Sequence, residues 1–286
     1  MEFALVLVMI LFMIAGLFSS LGFAHMPASI PSTKIVAESI SESDPIVHAI
    51  DHDQEKIVKD WLKKGHSACA KVKNKIQESF LERAAAQGSE HVFDVLLNDL
   101  EMKGLSSQGL WTDSRGTPIL LSLVSMAIPS QPQTPKYERM IARFIKIHSD
   151  QVNLKDKAYV GDGRTALHQA ATSGNLLVLN NLIENGAQVN EVNAIGETPL
   201  HFAARFGKLE VLKILIANGA DVEAKTKHTK ATPLLSAAES GQERIIRELL
   251  DAGAKKSARD VFGKTAPERY KEYVAGYYQI TLPKNN

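Results

Sequence analysis

The chain has 286 residues, 44% of them hydrophobic and 23% charged, with a formal net charge of +1 at pH 7. That balance excludes a disordered tail, a collagen-like rod and a strongly basic nucleic-acid binder. The single cysteine, Cys69, excludes an internal disulfide and any CxxC metal site, so packing alone has to hold the fold.

Phe3 to Phe18 is an unbroken apolar run that continues to Phe23 without a charge. About 20 such residues span a bilayer, whereas a signal peptide's apolar core is usually about 7–15. Segment 1–24 is therefore expected to form an apolar helix, either a retained transmembrane anchor or a cleaved signal peptide. Gly22-Phe23-Ala24 offers a small-x-small cleavage site, but only Met1-Glu2 precedes the run, with no Lys or Arg. Residues 25–43, with Pro27, Pro31 and several serines, read as a linker. Lys34, the one basic residue soon after the apolar run, tilts the expected orientation toward a membrane location with the repeats on the cytoplasmic side. Export to a periplasm or to the exterior is the alternative.

From Asp44 onward the chain repeats itself. Unit starts fall at Asp44, Ser79, Thr117, Thr165, Thr198, Thr232 and Thr265, with spacings of 35, 38, 48, 33, 34 and 33 residues. A period of this length marks stacked supersecondary units rather than one globular core. Asp44-Pro45, Thr117-Pro118, Thr198-Pro199 and Thr232-Pro233 each set a capping oxygen before a proline whose fixed φ suits a first helical position. Small pairs follow on the same face, such as Ala84-Ala85, Ala170-Ala171, Ala203-Ala204 and Ala237-Ala238, and permit close approach of a neighbour. Gly88, Gly174, Gly207 and Gly241 then supply the left-handed position that ends a helix. Second helices follow with apolar pairs four residues apart, as in Val178-Leu179 and Leu182-Ile183 or Val211-Leu212 and Leu215-Ile216. Gly65, Gly186, Gly219 and Gly253 close them.

The expected boundaries are 44–78, 79–116, 117–164, 165–197, 198–231, 232–264 and a partial unit 265–270, with 271–286 as a C-terminal cap or tail. The Thr117 unit exceeds 33 residues by 15: eleven lie around Ile128–Pro135, expected to be an exposed loop, and four lengthen the hairpin around Tyr159–Gly163. Asp53 and Met126 stand where other units have the mid-unit glycine.

Thr198-Pro199-Leu200-His201-Phe202-Ala203 matches the T-P-L-H-x-A pattern at every position, and Gly219-Ala220-Asp221-Val222 matches the turn after a second helix. The units resemble ankyrin repeats, most strongly at Thr165, Thr198 and Thr232, and with less fidelity over residues 44 to about 270. The resemblance implies an all-α solenoid of helix-turn-helix units with hairpin loops. Its structural motif residues are Thr165, His168, Thr198, Pro199, His201, Thr232, Pro233, Gly174, Gly207 and Gly241. It further implies that His168 and His201 hydrogen-bond between neighbouring units, and that the work done is protein binding.

A catalytic, cofactor or metal constellation is not expected. His48 and His52 could face a metal from one helix side but lack a third ligand. Cys69 near His66 lacks an orienting acid and oxyanion donors, and Gly161-Asp162-Gly163 reads as a hairpin tip. Residues four and eight after each start are expected on the concave side: His48/His52, Arg83/Gln87, Leu121/Ser125, Gln169/Ser173, Phe202/Phe206 and Ser236/Ser240. Phe202 and Phe206 with Arg205 have the composition of an interface anchor. The hairpin tips are basic, through Lys225, Lys227, His228 and Lys230, then Lys255, Lys256 and Arg259, with Lys155 and Lys157 earlier. They favour a protein partner with an acidic surface, not nucleic acid or a small-molecule substrate. Lys63, Lys64, Lys71, Lys73 and Lys75 would lie near anionic headgroups beside a retained anchor.

Overall fold

The computed structural model describes residues 39–73, 78–103, 112, 116–157 and 162–281, the last six as backbone alone. The apolar run of segment 1–24 lies outside these residues, and no helix among those described is long and apolar enough to cross a membrane. Six helix pairs follow one another: α1 (Pro45–Asp51) and α2 (Glu55–Lys63), α3 (Phe80–Gln87) and α4 (Glu90–Met102), α5 (Ile119–Met126) and α6 (Thr134–Ile147). Then come α7 (Ala166–Ser173) and α8 (Leu176–Glu184), α9 (Pro199–Arg205) and α10 (Leu209–Ala217), α11 (Pro233–Glu239) and α12 (Glu243–Asp251), with α13 (Ala266–Thr281) alone. First helices pack on first helices in order, α1 through α13, and second helices form a parallel row from α2 to α12.

The small pairs lie in the seam between first helices: Ala84, Ala170, Ala171, Ala203, Ala204, Ala237 and Ala238 are fully enclosed. Val92, Leu96, Leu179, Leu182, Leu212, Leu215 and Leu249 fill the seam to the second row. Burial here removes apolar surface that no single unit could cover by itself, which is why stacking stabilises the chain.

The caps form as the residue types dictate. Asp44 Oδ1 accepts the Ile46 amide at 2.9 Å. Ser79 and Glu82 exchange bonds in a capping box, with the Glu82 amide 3.1 Å from Ser79 Oγ and the Ser79 amide 3.3 Å from Glu82 Oε2. Thr117-Pro118 differs from expectation. Pro118 stays extended at ψ 133°, bridged to Thr112, and the helix begins only at Ile119.

Gly88, Gly174, Gly207 and Gly241 have φ of +63°, +84°, +67° and +67°. Asp53 takes the same conformation at φ +54°, and its side chain explains why glycine is absent there. Asp53 Oδ1 accepts the Val92 amide at 2.9 Å and Oδ2 the His91 Nδ1 proton at 2.7 Å, so the first unit caps α4 of the second. Burial pushes the Asp53 carboxyl up, but those two partners hold it below its ordinary value.

Two expectations about connecting segments change. The stretch 25–43 ends in a strand, β1 (Ser39–Ser41), paired in parallel with β2 (Lys71–Lys73) of the first hairpin, Ser39 opposite Lys71 and Ser41 opposite Lys73. Ile40, between exposed Ser39 and Ser41, packs against the core, which fixes the strand's face. The insertion is not all loop. Thr134 and Pro135 open α6, where proline is tolerated, and α6 gains length over the other second helices. The hairpin tip at 158–161 lies outside the described residues, and α13 runs unbroken across the boundary expected at residue 270.

Candidate protein-interaction surface

The motif histidines join units. His168 Nδ1 accepts the Thr165 amide at 3.1 Å and lies 2.9 Å from Thr165 Oγ1, while Nε2 reaches the Glu197 carbonyl at 3.1 Å. His201 repeats the pattern with Thr198 at 3.1 and 2.9 Å and the Ala231 carbonyl at 3.1 Å. A backbone amide can only donate, so Nδ1 is unprotonated and Nε2–H is the donor across the seam. Burial drives the His168 pKa down to about 4, against the pull of the Glu197 carbonyl, and lowers His201 as well. The Thr232 unit has Leu235 in place of the histidine and uses Thr232 Oγ1 to cap the Leu235 amide at 3.4 Å.

The row of first helices carries a groove of about 460 Å³ between α3, α5 and α7. Leu121, Ser125, Met126 and Gln169 line it with Ala85 and Ile119, while Glu78, Glu82 and Asp156 bring carboxylates and Arg164 one guanidinium. Ser125 donates to the Leu121 carbonyl at 2.9 Å.

The expected concave residues divide. Gln169 and Ser125 line the groove, and Ser173 is partly exposed, its hydroxyl 3.2 Å from the Ala170 carbonyl. Phe206 is 48% exposed and Ser240 partly so. Phe202, by contrast, is 4% exposed and cannot present its ring to a partner. Its edge meets the His168 ring at 5.5 Å and 86°, and the Arg164 and Arg205 guanidinium groups lie 5.6 and 5.7 Å from its centroid. Arg205 is also committed inward, paired with buried Glu197, whose backbone amide donates to Asn193 Oδ1 at 2.8 Å. Ser236 is 2% exposed, in the seam. Position four after a start is thus a packing position wherever the neighbouring unit is close.

Arg83 shows the same with charge: Nε and Nη2 donate to the Asp51 carboxylate at 2.6 and 2.8 Å and Nη1 to Glu78 at 2.6 Å. The Asn193–Glu197–Arg205 cluster had one sequence signal, an acid immediately before Thr198-Pro199.

His48 and His52 stack at 3.9 Å, and no group of three His, Cys, Asp or Glu able to hold a metal occurs among the described residues. Cys69 is buried, which raises its thiol pKa despite the Ser67 hydroxyl, and the His66 ring stacks on Trp61 at 4.4 Å.

At the tips, Lys225, Lys227, His228, Lys230, Lys255, Lys256 and Arg259 are exposed. Lys227 Nζ donates to the Ala194 carbonyl at 2.9 Å, and Lys155 is spent on Glu191 at 2.7 Å and the Val192 carbonyl at 2.9 Å.

A row of helix pairs with bonded hairpins on one side and a shallow, largely apolar groove rimmed by charged residues defines a recognition module of the repeat class. The family model described as Ankyrin repeats (3 copies) matches residues 136–226 and 177–260, so that stretch carries ankyrin repeats. No curated protein matches the chain.

Proposed function

We propose that this chain is a non-catalytic scaffold, tethered to a membrane by segment 1–24, that holds a protein partner in the concave groove and along the basic hairpin tips. The observation that carries the reading is the preformed groove between α3, α5 and α7, whose helices set Ser125, Met126 and Gln169 along it before any partner binds. Phe206 and the exposed lysines Lys227 and Lys230 extend the surface beyond it.

Ser125→Trp tests this by filling the groove. Proximity labelling with the full chain is expected to lose its principal partner while the unfolding temperature stays within a few degrees. An unchanged partner set would remove the groove from the reading.

The apolar run from Phe3 to Phe23 supports the tether, and Gly22-Phe23-Ala24 favours a second reading as an exported factor that binds a target protein. Intact-mass measurement separates them. A chain starting at Met1 in the membrane fraction supports the tether, and one starting after Ala24 in a soluble fraction supports export.

A further inference from the structure

Neighbouring hairpins are joined by a ladder of backbone bonds. The Asp162 carbonyl accepts from the Ala194 amide at 2.6 Å, Ile195 from Lys227 at 2.9 Å, and Thr229 from Val261 at 2.8 Å. Each acceptor sits three residues before a unit start, in the second arm of one hairpin, and each donor is in the first arm of the next. Ser41 holds that position before Asp44, and β1 lies against β2 in the place a preceding hairpin would take. The N-terminal end of the ladder is therefore closed.

The corresponding residue before Thr265 is Phe262. Its amide donates to Asp260 Oδ1 at 2.8 Å, but no described residue donates to its carbonyl. Two adjacent apolar side chains stand beside that carbonyl, Val261 at 56% and Phe262 at 69% exposure. The arm is held rigid, because Asp260 also accepts from the Lys264 amide at 2.9 Å and from Arg269 Nε at 2.7 Å, and the Arg269 guanidinium lies 5.2 Å from the Phe262 ring.

We propose that this open end of the ladder is a docking edge for an extended, acidic segment of a partner protein, which adds one arm beyond Phe262 and covers Val261 and Phe262. Charge selects the occupant. Lys225, Lys230, Lys255 and Lys256 are exposed in the last two hairpins, whereas Asp260 is spent on Arg269 and Glu223 on the Lys255 amide at 2.8 Å. The added arm supplies a backbone bond to the Phe262 carbonyl, and the lysines select carboxylates. A second copy is disfavoured, since head-to-tail stacking needs the outer edge of the first hairpin, which β1 occupies. This edge deepens the scaffold reading above by giving it a partner chemistry and a place outside the groove.

The test is fluorescence anisotropy of the full chain in detergent with labelled peptide Glu-Glu-Val-Glu-Phe-Glu-Glu, its lysine counterpart, and a form N-methylated at the central residues. Saturable binding of the acidic peptide is expected, weakened at least about tenfold by Val261→Ser with Phe262→Ser, by Lys255→Glu with Lys256→Glu, and by N-methylation. The lysine peptide should not bind, and a thermal melt checks that each variant stays folded. Absence of saturable binding, or binding indifferent to both double variants, overturns the proposal. Peptide binding lost in Ser125→Trp but kept in the edge variants overturns the edge while leaving the scaffold reading intact. A concentration-dependent dimer seen by sedimentation velocity and abolished by the edge variants would make a second copy the occupant and overturn it too.

Discussion

His168 and His201 accept a backbone amide at Nδ1, and that one bond fixes a neutral ring in each seam. The folded pKa of His168, pushed down to about 4 by burial, lies below the ordinary value of 6.5. Above pH 6.5 neither folded nor unfolded ring holds the extra proton, and this contribution to stability is complete. As pH falls from 6.5 toward 4 the unfolded chain takes up a proton that the folded chain refuses, so stability drops, by on the order of 3 kcal/mol for this group. Urea unfolding across that window is expected to fall more steeply in the wild type than in His168→Gln; equal slopes would contradict the assignment. Gly241 makes a second prediction, because its φ is +67° and an added Cβ would lie 2.1 Å from the Tyr273 ring. Gly241→Ala should cost at least about 1–2 kcal/mol from the backbone alone, with more from the ring clash. Tyr273→Ala should recover the second part, and an identical cost in both backgrounds would remove the ring contact. The glycine role was legible from one residue type at a fixed offset, and the histidine role through the resemblance to ankyrin repeats. Phe202 was not: whether position four after a start faces water depends on how closely His168 of the previous unit and Arg164 of the hairpin before it approach.

Helices in this protein are short and stabilised across units rather than by themselves. Leu215 of α10 is fully enclosed, so Leu215→Ala should leave a cavity and cost about 2–5 kcal/mol in chemical denaturation. An unchanged midpoint would mean that Leu215 is not interior. Helix positions were legible because caps, alanine pairs and glycines agree at each offset. The Thr117 unit was read less well for a physical reason. Proline marks both a loop and a first helical turn, so Thr134-Pro135 could be assigned to either. Asn175 decides it from the next unit, donating to the Ala127 carbonyl at 3.0 Å and to Glu138 at 2.9 Å on either side of the insertion.

The described residues, from 39 to 281, form one compact unit whose order along the row is the order along the sequence. Each unit bonds its neighbours, and the approximate sum of such interfaces sets the stability of the row. The bond from Asp53 to the Val92 amide sets the first interface apart, because a side chain of one unit caps the second helix of the next, where Ser89 makes no cap bond. The first two units should therefore open together, and hydrogen exchange at Val92 should report on residues 44–53 as much as on α4 itself. Asp53→Gly keeps the left-handed turn but deletes the carboxylate, so it is expected to speed that exchange at an unstrained backbone. A chain that unravels under load would give up α13 singly at one end, yet surrender two units in one step at the other.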